Sequence, residues 1–126
     1  MKFRVTLFSI TLLLAANLAL GQSGGELVKQ GQEVYEANCA DCHRDNGEGL
    51  VVKFPALKGN TFVTGDPKPV IATVLNGLKG NLGQMPAWKD TLDDQQIAAV
   101  ITYIRQAWSN RAAAVTPAMV AAARGK

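Results

Sequence analysis

The chain has little cysteine and little histidine: two cysteines and one histidine in 126 residues. This scarcity excludes a structural zinc site, which needs about four Cys or His ligands. The sequence also lacks a large excess of charge of one sign, because its 13 Lys and Arg residues are nearly balanced by 10 Asp and Glu residues. Proteins that bind nucleic acid usually have a strongly basic face, and the near balance argues against that class. The sequence also lacks an internal repeat and a long low-complexity tract.

Both cysteines and the histidine stand in one pentapeptide, Cys39-Ala40-Asp41-Cys42-His43. The spacing C-x-x-C-H is that of a c-type haem attachment site. Two thiols three positions apart can add to the two vinyl groups of a haem, and the adjacent imidazole can bind the iron as an axial ligand. The motif therefore predicts one covalently bound haem c, held by Cys39, Cys42 and His43.

Two other interpretations of the cysteine pair stay open. A thioredoxin-like redox dithiol opens a helix after a strand, whereas the segment before Cys39 is polar and has the periodicity of a helix. A structural disulfide between Cys39 and Cys42 would close a short loop and stabilise the fold little. We favour haem attachment over both.

The first residues, Met1 to Gly21, have the pattern of a secretory signal peptide. Lys2 and Arg4 form a positive start, an apolar stretch follows, and a small residue at each of the −3 and −1 positions predicts cleavage before Gln22. The alternative is an uncleaved anchor that would keep the protein at the membrane. Export to the periplasm agrees with the haem motif, because c-type haem is attached outside the bacterial cytoplasm.

Hydrophobic periodicity predicts an all-α fold of three main helices joined by long loops. The first runs from Glu26 to Asn38, and the third runs from about Leu92 to Trp108. The second begins with Asp66 as N-cap and Pro67 at the first helical position. A short terminal helix begins at Thr116, and no segment has a convincing strand pattern. The predicted buried faces are Val70, Ile71, Val74, Leu75 and Leu78 in the second helix, and Ile97, Val100, Ile101, Ile104 and Trp108 in the third.

Met85 is the candidate for the second axial ligand of the iron. The chain has no second histidine, and Met119 lies in an Ala-rich helix where a methionine usually packs. Met85 precedes Pro86, which favours an extended backbone, and it lies in a glycine-rich loop that can curve across a haem face. The alternative is an exposed loop methionine with no role. A thioether ligand would favour reduced iron and raise the reduction potential.

The sequence resembles the bacterial class I cytochromes c from Glu26 to about Asn110. It is most similar to the small cytochrome domains of haem–copper oxidases and of membrane quinohaemoprotein dehydrogenases. The matching segments are Gly31-x-x-x-Tyr35-x-x-Asn38-Cys39-Ala40-x-Cys42-His43, Gly47-x-Gly49, Phe54-Pro55-x-Leu57, Val74-Leu75-Asn76-Gly77, Met85-Pro86-Ala87-Trp88 and Gln96-Ile97-x-x-Val100-x-x-Tyr103.

The resemblance implies a cytochrome c fold wrapped around one haem and further roles for individual residues. Gly31 and Tyr35 of the first helix would meet Tyr103 of the third. The carbonyl of Pro55 would accept a hydrogen bond from the imidazole of His43 and so orient the ring. Trp88 would either reach a haem propionate or cover the haem edge.

Together these predictions describe an exported monohaem cytochrome c that carries single electrons between redox proteins of a respiratory or dehydrogenase chain. The expected organisation is a signal peptide over 1–21, a cytochrome c domain over 22–115 and a helical tail over 116–126. With His43 and Met85 on the iron no substrate can bind it, so we expect a carrier rather than an enzyme, and a monomer when isolated. The alternatives are a haem subunit of a membrane dehydrogenase or oxidase complex, and a ligand-binding haem enzyme or sensor.

Charge is predicted to be unevenly distributed over the surface. Four lysines fall in the loops expected to surround the haem edge: Lys53, Lys58, Lys79 and Lys89. The acidic residues Glu26, Glu33, Glu36, Asp93 and Asp94 fall on the first and third helices. A positive rim that steers acidic partners is one interpretation, and ordinary solvation of the surface is the other.

Overall fold

The computed structural model describes residues 23–80 and 83–125. The predicted signal segment, Met1 to Gly21, lies outside these residues. The described ranges form six helices and two short strands: α1 (Gly24–Asn38), α2 (Ala40–His43), α3 (Thr61–Thr64), α4 (Pro67–Asn76), β1 (Leu78–Lys79), β2 (Gln84–Met85), α5 (Asp94–Gln106) and α6 (Pro117–Arg124). The predicted all-α class is confirmed. Periodicity did not predict the one-turn helices α2 and α3 or the strand pair.

Side-chain caps fix where the later helices begin. The carboxylate of Asp66 accepts a hydrogen bond from the backbone N–H of Lys68 at 3.0 Å, and Thr116 caps α6 through its hydroxyl. The third helix, predicted to begin at about Leu92, begins at Asp94, and Asp93 is its N-cap and forms a capping box with Gln96. Each cap satisfies backbone N–H groups that the first turn of a helix leaves without partners.

Helices α1 and α5 cross where Gly31 faces Ala99. A Cβ atom at Gly31 would lie 2.0 Å from the Ala99 carbonyl oxygen and 2.8 Å from Cβ of Tyr103. Beside the crossing the rings of Tyr35 and Tyr103 pack with their centroids 5.4 Å apart. The helix contact that the resemblance implied is therefore confirmed, and it depends on the missing side chain of Gly31.

Helices α4 and α6 complete the core against α5. Fully buried side chains come from all three: Ile71 and Leu75 of α4, Ile97 and Ile101 of α5, and Val120 of α6. The sequence-predicted face of α4 is confirmed except at Leu78, whose residue is 59% exposed. The prediction for Leu78 is wrong because α4 ends at Asn76, and Gly77, at φ +72°, redirects the chain into β1.

The strands form a small antiparallel hairpin in which Leu78 pairs with Met85 and Lys79 pairs with Gln84. The backbone N–H of Gly80 donates to the carbonyl of Gly83 at 2.8 Å. The hairpin matters because it carries Met85. Among the described ranges, no helix has both the length and the apolar character needed to cross a bilayer.

Two buried polar side chains tie loops to the end of α5. Arg105 donates to the carbonyls of Val63 and Gly65 at 2.7 and 2.9 Å, and burial lowers its pKa below the ordinary value for arginine. The side-chain oxygen of Asn110 accepts a hydrogen bond from the backbone N–H of Gly59 at 2.8 Å, and its side-chain nitrogen donates to the carbonyl of Leu57. Both residues thus position the chain between the haem-attachment motif and α4, and hydrophobic periodicity gave no sign of either.

Candidate haem site

Cys39 joins α1 to α2, and Cys42 and His43 lie in the single turn of α2. The backbone N–H of Cys39 donates to Tyr35 at the end of α1, and the N–H groups of Cys42 and His43 both donate to the carbonyl of Cys39. Residues three positions apart lie on the same side of a helical turn, so the two half-buried thiols share one face. Both cysteines are free. Burial, and to a lesser degree the neighbouring Cys42, raises the pKa of the Cys39 thiol to about 11.

The imidazole of His43 is oriented by a backbone carbonyl. Its Nδ1 lies 2.9 Å from the carbonyl oxygen of Pro55. A carbonyl oxygen can only accept, so Nδ1 carries the proton and donates, which leaves Nε2 with a free lone pair. This is the tautomer in which histidine binds a metal through Nε2. The contact that the resemblance assigned to Pro55 is present.

Two aromatic side chains, packed against the ring of Tyr103, hold the chain that follows His43. The hydroxyl of Tyr35 donates to the carbonyl of Arg44 at 2.6 Å, and Nε1 of Trp108 donates to the carbonyl of Asp45 at 3.0 Å. The Trp108 ring packs at 5.2 Å from Tyr35 and 5.5 Å from Tyr103. The sequence placed Trp108 on the buried face of the third helix, which is wrong: α5 ends at Gln106, and Trp108 adopts φ +52° beyond it.

Met85 is held at a fixed place by the turn at Gly77. A Cβ atom at Gly77 would lie 2.4 Å from the Met85 carbonyl oxygen, so only glycine allows the two backbones to approach this closely. The Met85 side chain is half-buried and packs against the hydrophobic core. After Met85 the chain returns to α4, because the N–H of Trp88 donates to the carbonyl of Val74 at 3.0 Å.

The structure brings the Met85 hairpin next to the loop that leads to Pro55. The Cβ position of Gly83 lies 3.9 Å from the carbonyl oxygen of Lys53. Trp88 is half-buried and also packs against the core, and its indole N–H has no hydrogen-bond partner within residues 23–80 and 83–125. Its environment is compatible with either role that the resemblance implied.

Apolar side chains remain exposed on the same loop and hairpin. Val51 is 88% exposed, Val52 is 77% exposed, and Leu50 and Leu78 are more than two-fifths exposed. The described residues contain no group of three or more His, Cys, Asp or Glu that could hold a bare metal ion. Two thiols, one imidazole and one thioether suit a macrocycle that brings four nitrogen ligands of its own. The donor set and the apolar surface therefore fit haem c.

Comparison with known proteins decides the family. The sequence matches the family described as cytochrome C oxidase, cbb3-type, subunit III, over residues 26–104. The chain belongs to this class I cytochrome c family. As a member it binds covalently attached haem c and functions in electron transfer.

The relatives of this cytochrome c differ in length and in context. The cytochrome c subunit of the quinone alcohol dehydrogenase of Gluconobacter oxydans is 35% identical over 75% of this chain and 21% of its own length. Subunit CcoP of the cbb3-type oxidase of Azospirillum brasilense is 37% identical over 60% of this chain and 27% of its own. Cytochrome c-552 of Thermus thermophilus is 34% identical over 78% of this chain and 69% of its own. The chain thus spans about a fifth of the dehydrogenase subunit.

Proposed function

We propose that this cytochrome c is an exported single-electron carrier in which His43 and Met85 are the axial ligands of the haem iron. The hydrogen bond between His43 and Pro55 is the observation that carries the proposal, because it directs the free Nε2 lone pair of the imidazole. Cys39 and Cys42 would hold the haem through thioether bonds, formed as each S–H adds across a vinyl group. When bound, the haem iron supplies the chemistry by cycling between its ferrous and ferric forms.

The residues around the iron then have separate tasks. Pro55 keeps the His43 ring in one orientation, and the hairpin turn at Gly77 keeps Met85 from swinging away. The thioether of Met85 favours ferrous iron and so raises the reduction potential. Trp88 covers the haem edge or donates its indole N–H to a propionate. No proton has to move at any of these atoms for an electron to pass.

The protein is proposed to be a carrier and not an enzyme, because two protein ligands on the iron leave no position for a substrate. Carbon monoxide tests this directly. We expect the reduced parent protein to bind it slowly and weakly, and the Met85→Ala variant to bind it quickly. Fast binding by the parent would favour the ligand-binding enzyme or sensor instead.

A second test uses the reduction potential. Met85→His should keep two axial ligands but lower the potential, because imidazole favours ferric iron more than a thioether does. Met85→Leu is a control of similar volume that cannot ligate, and it should open the site as Met85→Ala does. An unchanged spectrum and potential in all three variants would exclude Met85 as the ligand.

The context of the relatives favours a second candidate, a subunit role. The alcohol dehydrogenase and CcoP relatives are both named as subunits of larger enzymes. We propose redox proteins as partners in either case, with a monomer when the chain is isolated. Purification of the tagged protein from its native membrane in mild detergent separates the two: a subunit elutes with a dehydrogenase or oxidase, and a shuttle elutes alone.

The proposed location is the periplasm, and the proposed organisation is a signal peptide over 1–21, a cytochrome domain over 22–115 and a helical tail over 116–126. N-terminal sequencing of the mature protein is the test. A start at Gln22 supports cleavage, whereas a start at Met1 in the membrane fraction supports a retained anchor.

A further inference from the structure

Arg124, at the end of α6, lies beyond the residues that match the family and makes three polar contacts. Its Nε donates to the carboxylate of Asp94, at the start of α5. Its Nη1 donates to the carbonyl of Lys89 at 2.6 Å, and its Nη2 donates to the carbonyl of Leu92 at 2.6 Å. Hydrogen bonds from a charged guanidinium are about twice as strong as those between neutral groups.

The two carbonyls belong to the segment that follows Met85. Lys89 and Leu92 lie in a tight turn, in which the N–H of Leu92 donates to the carbonyl of Trp88 at 2.9 Å. The N–H of Lys89 also donates to the carbonyl of Leu75 at 3.2 Å, which fixes the turn to α4. Arg124 therefore joins this turn to α5, at the end of the loop opposite to the hairpin.

Helix α6 holds Arg124 in place. Val120 is fully buried, and Met119 packs against the core, as the sequence predicted. Val115, which lies just before α6, is bonded to α5. The hydroxyl of Thr102 donates to the carbonyl of Val115 and accepts a hydrogen bond from the Val115 N–H. The guanidinium thus projects from a fixed helix rather than from a loose tail.

We propose that Arg124 is a positioning residue for Met85. The hairpin restrains the chain before Met85, and the guanidinium restrains the turn after it, so the thioether stays directed at the iron. Loss of Arg124 leaves this end of the loop held only by its backbone hydrogen bonds to α4, and it raises the population in which Met85 has left the iron. The proposal rests on the axial role of Met85 proposed above.

Imidazole is the probe, because it binds ferric haem iron only when Met85 leaves it. A more populated open state raises the apparent affinity in proportion. Arg124→Ala should bind imidazole about fivefold more tightly than the parent. Arg124→Lys retains the charge but cannot direct separate N–H groups at the carbonyls of Lys89 and Leu92, so it should bind imidazole at least about twofold more tightly than the parent. It is also the conservative variant, in case Arg124→Ala folds poorly.

The three polar contacts of Arg124 are called the clamp below. Matched controls separate loss of the clamp from general destabilisation. Arg111 is an exposed arginine beyond the opposite end of α5 with no hydrogen bond to any described residue, and Arg111→Ala should leave the imidazole affinity unchanged. Amide hydrogen exchange should quicken at Lys89 and Leu92 in Arg124→Ala. The amide of Gly49, which donates to the carbonyl of His43 at 2.9 Å, should keep its parental rate.

Three outcomes overturn the proposal, and they can be told apart. Parental imidazole affinity in both Arg124 variants, with much tighter binding by Met85→Ala, excludes the clamp and keeps Met85 as the ligand. Faster exchange at Gly49 as well as at Lys89 shows loss of general stability instead of a local effect. No change in Met85→Ala removes the axial role itself, and the clamp with it.

Discussion

Gly31 lies against the carbonyl group of Ala99 so closely that a Cβ atom would come within 2.0 Å of its oxygen. The obstacle is backbone and not the end of a flexible side chain, so it cannot be moved without separating α1 from α5. Since α1 delivers Cys39 and α5 leads to Trp108, the crossing also sets the position of the haem-attachment turn.

The first prediction concerns this contact. Gly31→Ala should destabilise the protein by about 3 kcal/mol, because the helices must separate to admit the methyl group. Chemical denaturation of the haem protein measures the change. Gly25→Ala is the matched control, since nothing lies within 4 Å of the Gly25 Cβ position on the same helix. It should be neutral or slightly stabilising, and an equal response of the two variants would show that the crossing is not tight.

The two cysteines provide the second prediction. Replacing both Cys39 and Cys42 with serine should abolish covalent haem attachment and leave a poorly folded chain, because the remaining apolar side chains form a marginal core. Denaturing gel electrophoresis followed by haem staining detects the loss. Staining that persists in the double variant would exclude thioether bonds at these residues.

The third prediction is a pH dependence that arises from Tyr35. Burial, followed by the neighbouring Cys39, raises the pKa of its phenol above the ordinary value of about 10. Above that pH the unfolded chain loses the proton and the folded chain keeps it, so the free energy of unfolding should fall as pH rises from about 10. Below pH 10 the contribution is fully present. Urea denaturation at pH 7, 9, 10 and 11 follows this change.

Tyr35→Phe should reduce the fall in the free energy of unfolding above pH 10. A smaller fall should remain, because burial also raises the pKa of Tyr103. At neutral pH the variant should be less stable by about 1 kcal/mol, since the carbonyl of Arg44 loses its donor. Tyr103→Phe is the control at neutral pH and should change stability less. Parent and Tyr35→Phe curves that remain parallel from pH 7 to 11 would contradict the assignment to Tyr35.

Backbone strain at Val52 gives the fourth prediction. Val52 adopts φ +73°, a conformation that β-branched residues rarely take, and its residue is 77% exposed. Val52→Asn should stabilise the protein by about 1 kcal/mol, because asparagine tolerates this conformation. Val51→Asn is the matched control. It is the same substitution at the neighbouring residue, which is 88% exposed and does not have a positive φ, and it should have little effect on stability. Thermal unfolding compares the two, and an equal response would show that strain is not the cause.

The fifth prediction concerns partner docking. Lys79 is an exposed residue of the Met85 hairpin and Lys53 is exposed beside it, whereas Lys58 forms an ion pair with Glu48 at 3.3 Å and contributes less net positive charge. Electron transfer to an acidic partner should slow as ionic strength rises through ~0.1 M, where screening acts within about 10 Å. Stopped-flow kinetics at several salt concentrations measures the rate.

Reversing Lys53 and Lys89 to glutamate should remove most of the salt dependence. The control reverses Lys29 and Arg111, which lie on α1 and after α5 and change the net charge by the same amount. Equal effects of the two pairs would mean that net charge, and not a local rim, governs association. Rates of the parent that do not change with salt would indicate apolar docking instead.

Much of the molecule follows from the sequence because its determinants are local. The haem motif occupies five consecutive residues, and the caps Asp66 and Thr116 act on N–H groups two or three residues away. The buried stripes of α4 and α5 follow from a repeat of three and four residues, which sequence alone displays. The bond between Pro55 and His43 was predicted only through resemblance, since nothing in the spacing of 12 residues indicates it.

The tertiary structure decided what depends on distant parts of the chain meeting. Trp108 lies 63 residues from Asp45, to which it donates, and Arg124 lies 35 residues from Lys89. Leu78 has an apolar side chain at helical spacing, yet α4 ends at Asn76, and the chain turns at Gly77 so that Leu78 pairs with Met85 in the hairpin. Local pattern fixes the helices and the chemistry of the motif, and long-range packing fixes the loops that bring Met85 against Gly77 and Pro55 against His43.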